Sequence, residues 1–396
     1  MLDVPPDGAP ADASVLPLPP SPESHAFRFT GTAGEFFGIW IVNLFLTIIT
    51  LGIYSAWAKV RKKRYFYGHT WVADANFEYH GNPIAILKGR LIAFAAFVVY
   101  SALSQFIPTL AAVLALLLFA AAPWFIARSM AFNAHNSSYR NIRFRFQASY
   151  ADVLKTIWPI ALVLVFPFLM PNYNPATKVA PPTMFWVITI LQSLSIFAVY
   201  PYAVGALKRL HVNQSQYGTA QFSIGIGIGA FYKTYFLMML LAFAAVMFIG
   251  IIAAILIPVF ATAGAKGAKG SALVAVIMVP VITLGYFGFA AVMLAYTKSR
   301  IGNLVFNNSR LDRGVTFTST LRMRKLAWLY FVNMFAILFS LGLAVPWAVI
   351  RVMRYRAECL TLQTESSLDE FISGVSAQVG ATGEELGEFF SIDLSL

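Results

Sequence analysis

Apolar residues gather into runs long enough to cross a hydrocarbon core of about 30 Å, which takes about 20 residues of helix. Eight such segments lie near residues 36–57, 91–107, 110–127, 157–170, 184–204, 235–258, 273–297 and 327–350. The second and third nearly touch at Pro108, and the fourth is short. The stretches after the first, third, fifth and seventh segments are long and basic: 59–90, 128–155, 208–233 and 298–325. Excess Lys and Arg marks cytoplasmic loops. The other loops hold Lys178 in one and Lys266 and Lys269 in another, and read as the far side. The pattern predicts an all-α membrane protein, a polytopic helical bundle of about eight hydrophobic segments.

Each basic loop follows one local plan, in which a His or Asn leads, eight or nine residues later, to a Phe with alternating neighbours. His69 leads to Phe77, Asn136 to Phe144, Asn213 to Phe222 and Asn308 to Phe317. The stretches FEY, FRF and FTS alternate with period 2, as does FRF at residues 27–29, which is the strand pattern. A diverged internal repeat and a small cytoplasmic layer of short β-strands follow.

A sharper repeat links the two ends of the chain. Residues 42–65, VNLFLTIITLGIYSAWAKVRKKRY, align without a gap on residues 332–355, VNMFAILFSLGLAVPWAVIRVMRY. Asn43 matches Asn333, Trp57 matches Trp347, Arg61 matches Arg351, Arg64 matches Arg354 and Tyr65 matches Tyr355. Positive charge flanks both ends of the last segment, so two topologies stay open. Either both terminal segments break at Leu-Gly and re-enter the cytoplasmic side, or both span as inverted copies, an arrangement common in transporters. Re-entry is the preferred reading.

Composition agrees with a lipid solvent: 59% of the 396 residues are apolar and only 12% charged, against roughly 25% charged in a soluble chain. The net charge of +12 is strongly partitioned. Residues 1–35 hold five acids and one base, and residues 357–396 hold eight acids and no base. The body between them has 28 bases against four acids, Asp74, Glu78, Asp152 and Asp312. The chain therefore divides into a disordered, acidic, Pro-rich N-terminus (1–26), a membrane domain with basic cytoplasmic loops (27–356) and an acidic C-terminal tail (357–396). Apolar anchors in the tail, Phe371, Ile372, Val375, Leu386, Phe389 and Phe390, suggest docking on a basic loop. The N-terminus shows no secretory signal pattern.

Thr50 to Tyr67, within TLGIYSAWAKVRKKRYFYGHT, resembles the YjgN-like family of bacterial inner-membrane proteins, and the acidic GEELGEFFSIDL stretch supports it. The resemblance covers most of the chain and implies a multi-pass protein of the bacterial inner membrane, of unknown function. It brings no catalytic or ligand residues. Ala56 stands where the family usually has Pro, while Pro346 fills the matching position in the second copy.

Chemistry is sparse. Cys359 is single and the five histidines form no i, i+4 pair, so neither a disulfide nor a metal centre is expected. GIGIGAFYKT at 225–234 lacks the Gly-Lys of a phosphate loop. No nucleophile, base and orienting group occur together, so an enzyme is not expected and no cofactor is implied. The basic loops border apolar spans, which favours anionic membrane lipids over nucleic acid as partner. Intramembrane polarity reduces to a few amides and hydroxyls, of which Asn43 and Asn333 are the candidate polar pair. Trp57, Arg61, Arg64, Tyr65, Trp347, Arg351, Arg354 and Tyr355 are candidate interfacial or lipid-headgroup contacts. These features point to transport or channel-like passage of a small or amphipathic molecule. The alternative is an envelope protein that binds anionic lipid or a protein partner through its basic face.

Overall fold

The computed structural model describes residues 23–171, 173, 180–264, 268–312, 314–365 and 367–379. One unit recurs along it: a helix arriving at a pair of strands, and a helix leaving. Strands β1 (Glu23–Ala26) and β2 (Arg28–Phe29) lead into α1 (Ala33–Ile49). Then α2 (Ser55–Gly68), β3 (Thr70–Val72), β4 (Ala75–Tyr79) and α3 (Pro83–Phe106) form a complete unit. A second is α4 (Pro108–His135), β5 (Ser137–Tyr139), β6 (Ile142–Phe146) and α5 (Tyr150–Leu169). A third is α6 (Thr183–Asn213), β7 (Ser215–Tyr217), β8 (Ala220–Ile224) and α7 (Gly229–Gly264). The fourth is α8 (Ala268–Phe306), β9 (Ser309–Leu311), β10 (Val315–Ser319) and α9 (Met323–Phe339). Finally α10 (Val345–Glu358) and β11 (Leu360–Thr364) precede a helix α11 at 368–379.

The strands join in one antiparallel sheet of eleven, in the order β1-β11-β10-β9-β8-β7-β6-β5-β4-β3-β2. Its two ends, β1 and β2, are separated in sequence by Phe27 alone, so one short segment pairs with β11 on one side and β3 on the other. The sheet therefore closes into a ring. This overturns the all-α reading: the β layer is a near-barrel, not a minor addition to a helical bundle. Strands of two to five residues are too short to declare themselves by periodicity. Their pairing across sequence-distant loops makes them a sheet.

Five equivalent backbone bonds tie each unit to the next. The N–H groups of Thr30, His80, Gln147, Gly225 and Thr320 donate to the carbonyls of His69, Asn136, Gln214, Asn308 and Cys359 at 2.8–3.0 Å. Each carbonyl stands where an arriving helix ends. The fifth unit is thus assembled from both ends of the chain, α10 and β11 from one and β1, β2 and α1 from the other. Leu360–Thr364, assigned above to an acidic tail, and Glu23–Ala26, assigned to a disordered N-terminus, are strands of this ring. Leu386, Phe389, Phe390 and the GEELGEFFSIDL stretch lie outside the described residues.

Local sequence explains the sharp change from helix to strand. Thr70, Ser137, Ser215 and Ser309 each donate a hydroxyl hydrogen to the carbonyl four residues back, satisfying a terminal helix acceptor. Ala73-Asp74 and Arg140-Asn141 take positive φ at the hairpin tips, the geometry that matches strand twist. Ser149 and Asp152 form a capping box at the start of α5.

Above the sheet, each helix packs on its neighbours in sequence, and α10 packs on α1, so the helices also close a ring. Six are long and apolar enough to span: α3, α4, α6 and stretches of α5, α7 and α8. The first and last apolar segments are instead helix pairs, α1–α2 and α9–α10, broken at Leu51-Gly52 and Leu341-Gly342. Gly52 and Gly342 share φ +93°, a conformation that glycine adopts without strain. Both ends of each pair join the sheet, so the two copies have the same orientation and are not inverted. At 17 residues, α1 and α9 reach about 25 Å, short of a full crossing when their first turns sit at the interface. In a Cys359→Ser background, single cysteines at Asp74, Asn141, Thr219 and Asp312 are expected to react with an impermeant reagent from the cytoplasmic side. Cysteines at Leu51 and Leu341 should stay unreactive from both sides; reaction of either from outside would mean that its helix pair spans.

Candidate functional site

Alternate residues of each strand face the inside of the ring, and there the five Phe residues of the repeat meet. Phe77 lies opposite Tyr139, Phe144 opposite Tyr217, Phe222 opposite Leu311 and Phe317 opposite Leu362. Ring contacts run in succession from Phe27 to Phe77, Phe144, Phe222 and Phe317, with centroids 6.2–6.5 Å apart. Neighbouring planes differ by only 11–28°, whereas upright rings related by a five-fold turn would differ by about 72°. The rings therefore lie flat, edges toward the axis, like the leaves of an iris. With Tyr139, Tyr217 and the aliphatic residues that they pack against, these rings form a hydrocarbon layer across the inside of the sheet.

Beyond the iris, at the hairpin tips, α11 covers the opening. Leu368, Ile372 and Val375 are buried in the cluster that fills the sheet, with Val72, Ile142, Leu311 and Val315. The backbone N–H of Leu368 donates to Glu23 at 3.3 Å, Arg140 pairs with Asp369, and Thr219 donates to Gln378 at 2.6 Å. A methyl on Gly218 would fall 2.6 Å from Val375, so this tip accepts α11 only as glycine. Burial pushes the phenols of Tyr139 and Tyr217 upward in pKa, and both donate as neutral hydroxyls, to Val72 and Tyr139 carbonyls at 2.8 and 3.1 Å.

The residues singled out in the sequence take different places. Tyr65 and Tyr355 are buried, and each accepts a backbone N–H at the start of its own helix pair, from Thr32 at 2.8 Å and Arg322 at 2.9 Å. Tyr65 also donates to Glu35 at 3.1 Å, a bond that lowers the Glu35 pKa. Arg64 and Arg354 reach the carbonyls of Tyr79 and Gly31, both at 3.3 Å. These four side chains hold the ring together. Arg61 bonds the Tyr54 hydroxyl at 3.0 Å, and Arg351 stacks 4.3 Å over Trp347; Trp57 stacks on Tyr54.

Asn43 and Asn333 are both buried, yet no hydrogen bond among the described residues joins them. Asn333 donates to the Ala348 carbonyl at 3.2 Å and accepts from Arg351 at 3.3 Å. The Asn43 side-chain Oδ1 has no hydrogen-bond partner among the described residues. The matched sequence thus hides a divergence, because Arg61 turns to Tyr54 where Arg351 turns to Asn333.

Sequence reasoning took the repeated Phe only as a strand signal. The missed clue is that one residue recurs inward in every unit, which is meaningful only once the units close on one axis. Lys63 was likewise read as topogenic. It hydrogen-bonds Asn133 of α4, lies 4.5 Å over the Tyr79 ring, and is pulled down to a pKa of about 8 by burial and then by Lys59.

Residues 24–389 match a family described as a bacterial protein of unknown function, DUF898. This chain belongs to that family. Inner membrane protein YjgN of Salmonella typhimurium is 26% identical over 363 residues, 87% of this chain and 90% of the relative. Inner membrane protein YjgN of Escherichia coli K12 is 35% identical over 150 residues, 37% of this chain and 36% of the relative. No solved structure matches. Together with the six apolar helices, this identifies a multi-pass inner-membrane protein.

Two outcomes test these placements. Asn333→Leu should lower stability by about 1–3 kcal/mol, since Arg351 loses an acceptor, whereas Asn43→Leu should be neutral or stabilising. Thermal unfolding in detergent reads both, and a larger loss at Asn43 would contradict the placement. Lys63 has a folded pKa below its unfolded value, so the unfolded chain binds more protons between about pH 8 and 10.4 and stability rises with pH there. Relative to Lys63→Met, the wild-type protein should gain melting temperature across that window; a constant difference would deny that Lys63 is desolvated.

Proposed function

We propose that the protein forms a gated, channel-like path for a small molecule along the common axis of its two rings. The supporting observation is the iris: five inward phenylalanines, one from each unit, meet at one level of a closed sheet. A solid bundle would bury a stripe on every helix, yet α3 has no buried residue along its length, as befits a helix between lipid and an open interior. An apolar constriction excludes ions by dewetting while it stays narrow. The helix α11, seated over the tips, adds a second closure on the side where basic loops place the cytoplasm.

A second reading keeps some support. Arg128, Arg300 and Arg351 each stack over an aromatic residue four positions earlier, Trp124, Tyr296 and Trp347, at 5.7, 5.9 and 4.3 Å from the ring centroid, an arrangement that suits a headgroup-level belt. Binding of anionic lipid there is compatible with a path or with a purely structural role.

Conductance in planar bilayers separates the readings. The wild-type protein should conduct little, and Phe144→Ala/Phe222→Ala should raise conductance at least about tenfold by widening and wetting the iris. Ending the chain after Glu365, which removes α11, should raise it further in that background. If correctly folded variants of both kinds conduct no more than wild type, the path does not exist.

A further inference from the structure

The last turn of α11 brings the chain to one definite point on the rim of the sheet. Gln378 accepts from the Thr219 hydroxyl at 2.6 Å, and a methyl on Gly218 would fall 2.9 Å from Val379. Both partners belong to the β7–β8 tip. The backbone N–H of Gly218 in turn donates to the Arg143 carbonyl at 3.2 Å, so α11 ends beside β6. Residues 380–396 follow it, carrying Glu384, Glu385, Glu388 and Asp393 and no base.

The outer wall of the sheet at this point holds two arginines. Arg143 and Arg145 are two residues apart on β6 and therefore share a face, where Ser138 and Gln216 stand opposite them. Arg143 is exposed and Arg145 half-buried. The one hydrogen bond that the Arg143 guanidinium makes among the described residues goes to Nε2 of His135 at 3.0 Å. That nitrogen accepts, so it brings no negative charge to the pair. None of the ion pairs among the described residues includes either arginine. Neighbouring cations at the rim are placed differently. Arg140, at the β5–β6 tip, pairs with Asp369, and Arg310 lies two residues from the exposed Asp312. Two like charges about 7 Å apart on one strand repel, and an acidic segment laid over them relieves the repulsion. Reach is ample: the five residues from Val379 to Glu384 extend to about 17 Å, against one strand spacing of about 4.8 Å between β7 and β6.

We propose that the acidic segment 384–393 crosses the rim at the β7–β8 tip and docks on Arg143 and Arg145, strapping α11 to the outer wall of the ring. The strap does not depend on a path through the iris. Disulfide trapping in the full chain, in detergent and with Cys359→Ser, tests it. Gly387→Cys/Gln147→Cys, with Gln147 on the same outer face as the arginines, should crosslink under mild oxidation. Gly387→Cys/Gln363→Cys, with Gln363 outward on β11, should not. Adding Arg143→Gln/Arg145→Gln should lower the Gln147 crosslink at least about threefold, and so should raising NaCl to about 1 M. Arg143→Lys/Arg145→Lys should retain it, and Glu384→Lys/Glu385→Lys should restore it to Arg143→Glu/Arg145→Glu, which separates charge pairing from a folding defect. Equal crosslinking at Gln147 and Gln363, or a yield indifferent to loss of the arginines, overturns the proposal. So does an arginine dependence found only in the retention of phosphatidylglycerol by the solubilised protein, which would give the patch to anionic lipid. Crosslinking as expected with no conductance in the iris variants would leave the strap standing and remove the path.

Discussion

Closure of the sheet is the constraint from which the rest of the architecture follows. Isolated hairpins of three- to five-residue strands are marginal in water, and an open sheet would expose two unpaired edges. Phe27 links the two halves of one segment that serves both edges, with β11 on one side and β3 on the other. Once the ring closes, every unit must present its strands at the same level, and every helix must leave the sheet on the same side. The broken helix pairs at the two ends of the chain are a consequence, because α1–α2 and α9–α10 both start and finish at the sheet.

A closed ring also sorts chemistry by radius. Outward strand positions carry Arg143, Arg145, Gln221 and Arg310, while inward ones carry the aromatic and aliphatic residues of the plug. The helices reverse this, with apolar side chains such as Phe94, Phe97, Leu194 and Phe243 exposed on the outside. Polar backbone groups at the helix-to-strand turns are satisfied by the five inter-unit bonds and the Ser and Thr hydroxyls, so irregular backbone at this depth is covered by protein.

The five units have diverged where symmetry does not matter and agreed where it does. Thirteen residues before each unit-linking carbonyl stand Ala56, Pro123, Pro201, Ala295 and Pro346, and all five are buried. Small, compact side chains let the arriving helix approach its neighbours closely. Pro346 lies in the first turn of α10, where proline forfeits no helical bond, so Ala56 at the same point of α2 replaces it without loss of a kink. The asparagines within the matched terminal segments show the opposite, since the Asn333 side chain is bonded and the Asn43 side-chain oxygen is not.

Hydropathy and charge were enough to establish a polytopic membrane protein, its basic loops and the matched terminal segments, because each depends on solvent preference along the chain. The period-2 stretches around Phe77, Phe144 and Phe317 suggested short strands locally but not a sheet, and the Leu-Gly breaks mark where each terminal apolar segment divides into two helices. What sequence alone left undecided was which strand pairs with which, since pairing energy depends on partners far apart in the chain, as between Glu23 and Thr364 at its two ends. The iris was illegible for the same reason. A phenylalanine in a loop is ordinary by itself, and only closure of the ring brings five separate positions together.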